Sequence, residues 1–109
     1  MTLEAFHQFA HSFPEVTEDF PLGPDVLALR VRKKIWALSA IDEVPFRVNL
    51  KCDPERAVEL RAEFEGIIPG YHMNKQQWNT VYMQSDVPND LLKELIEHSW
   101  VLIVARMPK

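Results

Sequence analysis

The densest chemistry in the chain lies between residues 69 and 80. Pro69, Gly70, Tyr71, His72, Met73, Asn74, Lys75, Gln76, Gln77, Trp78, Asn79 and Thr80 bring together a cation, a titratable imidazole, several amides and two large aromatics. Ammonium and amide donors hold a phosphate or carboxylate, while an indole or phenol ring stacks on a base or other planar group. Such a segment cradles an anion if it curls so that His72, Asn74 and Lys75 point the same way. It serves equally well as a polar loop that Tyr71 and Trp78 anchor to the core. Spacing alone leaves both readings open.

Other chemistry is thinner. His7 and His11 are four residues apart with Glu4 on the same helical flank, and two imidazoles at that spacing can share a zinc ion. The Glu that a zinc protease carries beside its first His is missing. A polar helix flank is the simpler reading, so no metal and no cofactor are expected. Cys52 is the single cysteine, which excludes an internal disulfide and a cysteine cage for zinc. It stands where a strand gives way to a helix start, a place that can lower a thiol pKa. A nucleophile there would need a base, for which only His72 offers itself. The three glycines, Gly23, Gly66 and Gly70, are not spaced as a phosphate loop. No pair of carboxylates suggests acid–base work. The chain is expected not to be an enzyme.

Net charge is −4, yet the bases are concentrated. Residues 1–25 hold five acids and neither Lys nor Arg. Residues 26–51 hold Arg30, Arg32, Lys33, Lys34, Arg47 and Lys51 against Asp42 and Glu43. If those six bases held phosphates, with the acidic N-terminal stretch lying elsewhere, binding to duplex DNA would show a log–log salt slope near about −5.

The elements that must position these groups follow from periodicity. Residues 2–13 read as a helix: Thr2 caps it, Glu4 suits its first turn, and Leu3, Phe6, Ala10 and Phe13 recur at helical spacing. Residues 15–25 read as loop, with a short edge strand near Val16. Residues 26–32 and 35–41 alternate as a hairpin about Arg32-Lys33-Lys34. Leu27, Leu29 and Val31 share one face, and Trp36, Leu38 and Ala40 are expected on that same face. In a third strand, 45–51, Phe46, Val48 and Leu50 alternate with Arg47, Asn49 and Lys51. The sheet would thus have one apolar side under helices and one wet, basic side, where Arg30, Arg32, Arg47 and Lys51 make a continuous exposed patch.

Asp53-Pro54-Glu55 is a strong helix start, and Ala57, Leu60 and Phe64 form its stripe. Short strands follow at 67–71 and 78–84, with Val81 and Met83 directed inward. Pro88 opens a last helix reaching about Arg106, whose wide apolar stripe encloses Ser99. That serine should be buried, with its hydroxyl bonded to a helix carbonyl or a sheet group.

Length and composition agree with this plan. A chain of 109 residues is one domain, 1–109, and at 47% hydrophobic and 26% charged residues it is neither disordered nor fibrous. No apolar run approaches the roughly 20 residues of a membrane helix, and nothing at the N-terminus resembles a signal peptide. A cytoplasmic location is expected, with no membrane partner. The fold class is α+β: a two-layer sandwich, α-β(3)-α-β(2)-α, with a mostly antiparallel sheet and helices on one face.

At Pro69 to Lys75 and Trp78-Asn79-Thr80-Val81 the sequence resembles the MmcQ/YjbR family of small bacterial proteins. Lys34-Ile35-Trp36-Ala37-Leu38, Leu50-Lys51-Cys52-Asp53-Pro54, Val87-Pro88 through Leu91 and His98-Ser99-Trp100 extend the resemblance over nearly the whole chain. Gln77 stands where members often carry a His, and Trp100 where Tyr is common. The resemblance implies the same element order, a kinship with secretion-chaperone folds, and DNA binding through loop wings beside a sheet. The expected function is therefore DNA binding by Arg30, Arg32, Lys33, Lys34, Arg47 and Lys51, extended by His72, Asn74 and Lys75, with Trp78 or Tyr82 free to stack. The alternative is a pocket for a small anionic ligand or peptide, walled by His72, Asn74, Lys75 and Trp78 and backed by Ser99. A protein-interaction module, as monomer or weak homodimer, is the third possibility.

Overall fold

Local capping decides where the helices begin. The computed structural model describes residues 1–70 and 73–107. Helix α1 (Leu3–Ala10) starts at Thr2, whose side chain accepts from the Ala5 amide at 3.1 Å. It is shorter than the apolar spacing predicts, because residues 11–13 leave the helix in a turn. Phe13 still packs inward, stacked on Trp100 and edge-on to Trp36. Helix α2 (Pro54–Glu63) is capped by Asp53, which accepts from the amides of Glu55 and Arg56. Helix α3 (Asn89–Ala105) follows Pro88. No described helix is long and apolar enough to cross a membrane.

Among the described residues, six strands form one antiparallel sheet: β1 (Val16–Asp19), β2 (Val26–Val31), β3 (Lys34–Ala40), β4 (Arg47–Lys51), β5 (Ile67–Pro69) and β6 (Trp78–Tyr82). Their spatial order is β1-β2-β3-β4-β6-β5. The α+β two-layer class is as expected, with the edge strand near Val16 realised as β1. Phe6 and Ala10 of α1, Ala57 and Leu60 of α2, and Leu92, Leu95, Ile96 and Ile103 of α3 join the inner sheet residues Leu27, Leu29, Val48, Leu50 and Val81 in one core. Val81 and Met83 point inward, each 1% exposed.

The hairpin departs from expectation in one respect that shapes the functional face. Arg30 pairs with Ile35, but Leu29 pairs with Ala37, so Trp36 has no residue opposite it. This is a bulge, and a bulge shifts the two-residue alternation by one. Trp36 faces the helices as predicted. Beyond it, Ala37 and Ser39 face the helices and Leu38 and Ala40 face away. A large indole turned into the core, with small Ala37 beside it, accommodates the extra residue.

Where β3 and β4 part beyond the Ala37–Leu50 pair, Ser99 fills the gap. Its hydroxyl donates to the Trp36 carbonyl at 2.6 Å and accepts from the Lys51 amide at 2.9 Å. The side chain thus bridges β3 and β4 one residue past their last pair, and it is completely buried.

The β2–β3 turn consists of Arg32 and Lys33, both with positive φ (49° and 74°). That is the twist a two-residue hairpin needs, made by residues whose Cβ atoms resist it. Replacing the pair by Asn-Gly (R32N with K33G) is expected to stabilise the fold by about 1 kcal/mol. Urea midpoints compared at equal slope measure it, and an unchanged or lower midpoint would count against strain in this turn.

Candidate functional site

The face of the sheet turned away from the helices is built from alternate residues of four neighbouring strands. The register Ala28–Leu38–Asn49–Thr80 runs straight across β2, β3, β4 and β6. Thr80 donates from its hydroxyl to the Asn49 side-chain oxygen at 2.6 Å. Ala28 and Thr80 are fully buried, so this face is not the bare wet surface that alternation predicts. Leu22, from the loop before β2, and Met73, from the loop before β6, overhang it. Between them lies a cleft of about 260 Å³ whose lining includes Leu22, Val26, Leu38, Ala40 and Met73, with Glu43, Arg47 and Asn49 as polar members. The Arg47 guanidinium is 3.7 Å from the Glu43 carboxylate.

The six bases of residues 26–51 do not form one continuous patch. Arg30 donates to Asp19 at 2.8 Å and to the Lys33 carbonyl at 2.9 Å. Arg32 donates to Glu15 at 2.9 Å. The acids expected to lie elsewhere are next door, because β1 adds to β2 and sets Asp19 opposite Ala28. Lys33 and Lys34 are exposed at the hairpin end. Lys51 is half-buried beside Trp78, and its ammonium pKa is lowered by burial, with the Arg106 charge adding to the effect.

The loop before β6 is held by backbone and by α2. The Asn74 side-chain oxygen accepts from the Gln76 amide at 2.9 Å, while the Asn74 carbonyl accepts from Trp78 at 2.9 Å. Lys75 extends its ammonium toward the Gly70 carbonyl at 3.5 Å. Both side chains bond within the loop itself. His72, the third member of the expected anion cradle, and Tyr71 lie outside the described residues. Gly70 is required by close approach: its amide donates to the Trp78 carbonyl at 2.8 Å, and a Cβ there would sit 2.8 Å from the Trp78 Cβ.

Sequence reasoning passed over Arg61. Its Nε donates to the Asn79 side-chain oxygen at 2.7 Å, and its Nη2 donates to the carbonyls of Trp78 (3.3 Å) and Lys75. One guanidinium therefore fastens the loop and the start of β6 to α2. The only signal is its place next to Leu60 on the border of the apolar stripe.

Two other sequence candidates find clear surroundings. Burial pushes the Cys52 thiol up to about 11, so it stays protonated at neutral pH and is a poor nucleophile. Ser99 lies on the helix side of the sheet and does not back the cleft. On α1, His7 and His11 both reach Glu18 of β1, at 2.5 and 2.7 Å. The bond from His7 is the main cause that holds the Glu18 carboxyl below its usual range. Glu4, which spacing sets beside the two imidazoles, is not the acid they contact.

The family model YjbR matches residues 11–102. The uncharacterized protein YbdF of Escherichia coli O157:H7 is 36% identical over 107 residues, covering 97% of this chain and 87% of that protein. The uncharacterized protein YjbR of Escherichia coli strain K12 is 27% identical over 111 residues, covering all of this chain and 92% of that protein. Among solved structures, the Deinococcus radiodurans protein DR2400, of domain DUF419, superposes with a TM-score of 0.95 at 35% identity, over 99% of this chain and 83% of its own. A Pseudomonas syringae protein, target PsR293, superposes with a TM-score of 0.81 at 29% identity, over 94% of this chain and 98% of its own. With the sheet order, the bulged hairpin and the loop before β6 in place, these matches show that the chain belongs to the YjbR family.

Proposed function

We propose that this protein is a binding protein for a small amphiphilic anion, held in the cleft on the second sheet face. One observation carries the reading: the bulge at Trp36 turns Leu38 and Ala40 toward the same cleft that Arg47 and Asn49 line. An apolar floor with a guanidinium at its edge suits a ligand with a hydrocarbon or aromatic body and one acidic group. Glu43, 3.7 Å from Arg47, is the exposed acid that a ligand carboxylate or sulfonate would displace. The protein would act in the cytoplasm, where a buried free thiol such as Cys52 stays reduced, as a monomer or weak homodimer.

DNA binding is the second reading, favoured by exposed Lys33 and Lys34 at the hairpin end. Arg30, Arg32 and Arg47 already have acid partners, so the remaining three bases support a salt slope near about −3 rather than −5.

The probe is 8-anilinonaphthalene-1-sulfonate, titrated into the folded protein by fluorescence. Saturable binding is expected, weakened at least about tenfold by Arg47→Ala, which removes a charge-assisted hydrogen bond. Leu38→Glu should weaken it similarly. Binding that both variants leave unchanged, at equal melting temperatures, overturns the cleft. Saturable binding to duplex DNA with a salt slope near about −3 would put the nucleic-acid reading in its place.

A further inference from the structure

His7 and His11 stand one turn apart on α1, their ring centroids 4.4 Å from each other. Beneath them runs the edge strand β1. Glu18 pairs with Leu29 there, which places it on the helix side of the sheet, whereas its neighbour Asp19 pairs with Ala28. The result is that Nε2 of both imidazoles and one carboxylate oxygen meet, all within 4.8 Å of one another. We propose that His7 Nε2, His11 Nε2 and Glu18 Oε1 form a three-ligand site for a divalent transition metal, with zinc the best match.

The donor set carries this assignment. Two neutral imidazoles and one carboxylate are borderline donors of the kind zinc takes, in the number that leaves one position open. Zinc–ligand bonds of about 2.0–2.1 Å in a tetrahedron set the donors about 3.3 Å apart. Glu18 stands at 2.5 and 2.7 Å, so these distances must lengthen by about 0.6–0.8 Å, which the partial exposure of the Glu18 side chain allows.

The fourth position has somewhere to point. A neighbouring cleft of about 280 Å³ is lined by His7 and Glu18 together with Glu4, Phe20, Leu27 and Ile41. A water or a small carboxylate would complete the metal there, against apolar walls and with the Glu4 carboxylate one turn below His7. The site is separate from the cleft of the second sheet face and does not depend on it.

The test is a titration of chelator-treated protein with Zn²⁺ alone, in competition with 4-(2-pyridylazo)resorcinol, repeated with Co²⁺ by visible absorption. One equivalent is expected to bind, with the intense bands of four-coordinate cobalt and a raised melting temperature. His11→Gln and Glu18→Gln should each weaken binding at least about tenfold and abolish those bands. His98→Gln, on α3 and away from the site, should leave both unchanged. Circular dichroism of the metal-free variants shows whether they fold. Should folded Glu18→Gln bind zinc as the parent does, or the parent fail to compete with the indicator, the three groups are a hydrogen-bonded staple between α1 and β1 and the metal site is wrong.

Discussion

Ser99→Leu is expected to destabilise the protein by at least about 3 kcal/mol and lower its melting temperature by roughly 12 °C or more. Two losses add. The hydroxyl that serves both the Trp36 carbonyl and the Lys51 amide disappears, leaving a buried carbonyl and a partly buried amide without that partner. Each such orphan costs about 1–3 kcal/mol. The larger side chain must also enter a position with no exposed surface, against Trp36 and the strand ends, and overpacking costs about 1–3 kcal/mol. Ser99→Ala separates the two: it removes only the hydrogen bonds and should recover the overpacking share. Thermal unfolding of all three proteins measures the effect. If Ser99→Ala melts with the parent, the hydroxyl does not hold the ends of β3 and β4 together.

The second large effect is expected at Arg61. Arg61→Met keeps much of the apolar stem and removes the guanidinium that bonds Asn79 and the carbonyls of Trp78 and Lys75. Asn79 is 2% exposed, so its side-chain oxygen would lose a charged donor inside the fold. Hydrogen bonds to a charged group contribute about 1.5–3 kcal/mol, and the expected loss is about 3 kcal/mol. Hydrogen exchange should show the distribution of the damage: amides of residues 75–80 lose protection first, while those of β2 and β3 keep theirs until global unfolding. Arg61→Lys restores the charge but not the fork that reaches three acceptors, so it should recover only part of the loss. Equal stability of Arg61→Met and the parent would mean that the backbone turn at Asn74 alone secures this loop.

What was legible in the sequence is what short-range physics decides. Thr2, Asp53 and Pro54 mark two helix starts because capping bonds reach only two or three residues. Leu27, Leu29, Val48 and Leu50 announce the inner face because a strand alternates strictly. Ser99 stood out because a small hydroxyl within an apolar stripe must find a buried partner, and it found two in the sheet. These features settle the α+β class and the order of the elements.

What only the tertiary structure decided depends on residues far apart in the chain. The bulge at Trp36 carries no local signature, since it arises from fitting an indole into a core shared with Phe13 and α3; yet it reverses the facing of Leu38 and Ala40 and so creates the cleft. The pairing of β1 with β2 brings Asp19 onto Arg30 and sets Glu15 against Arg32, dispersing a basic patch that looked continuous when charge was counted along the chain. The same pairing sets Glu18 beneath His7 and His11, where helical spacing alone offered Glu4. Alternation and capping act over a few residues and can be read from the string. Register, edge pairing and cross-chain acceptors are settled by packing, and the candidate sites of this protein are made almost entirely of those.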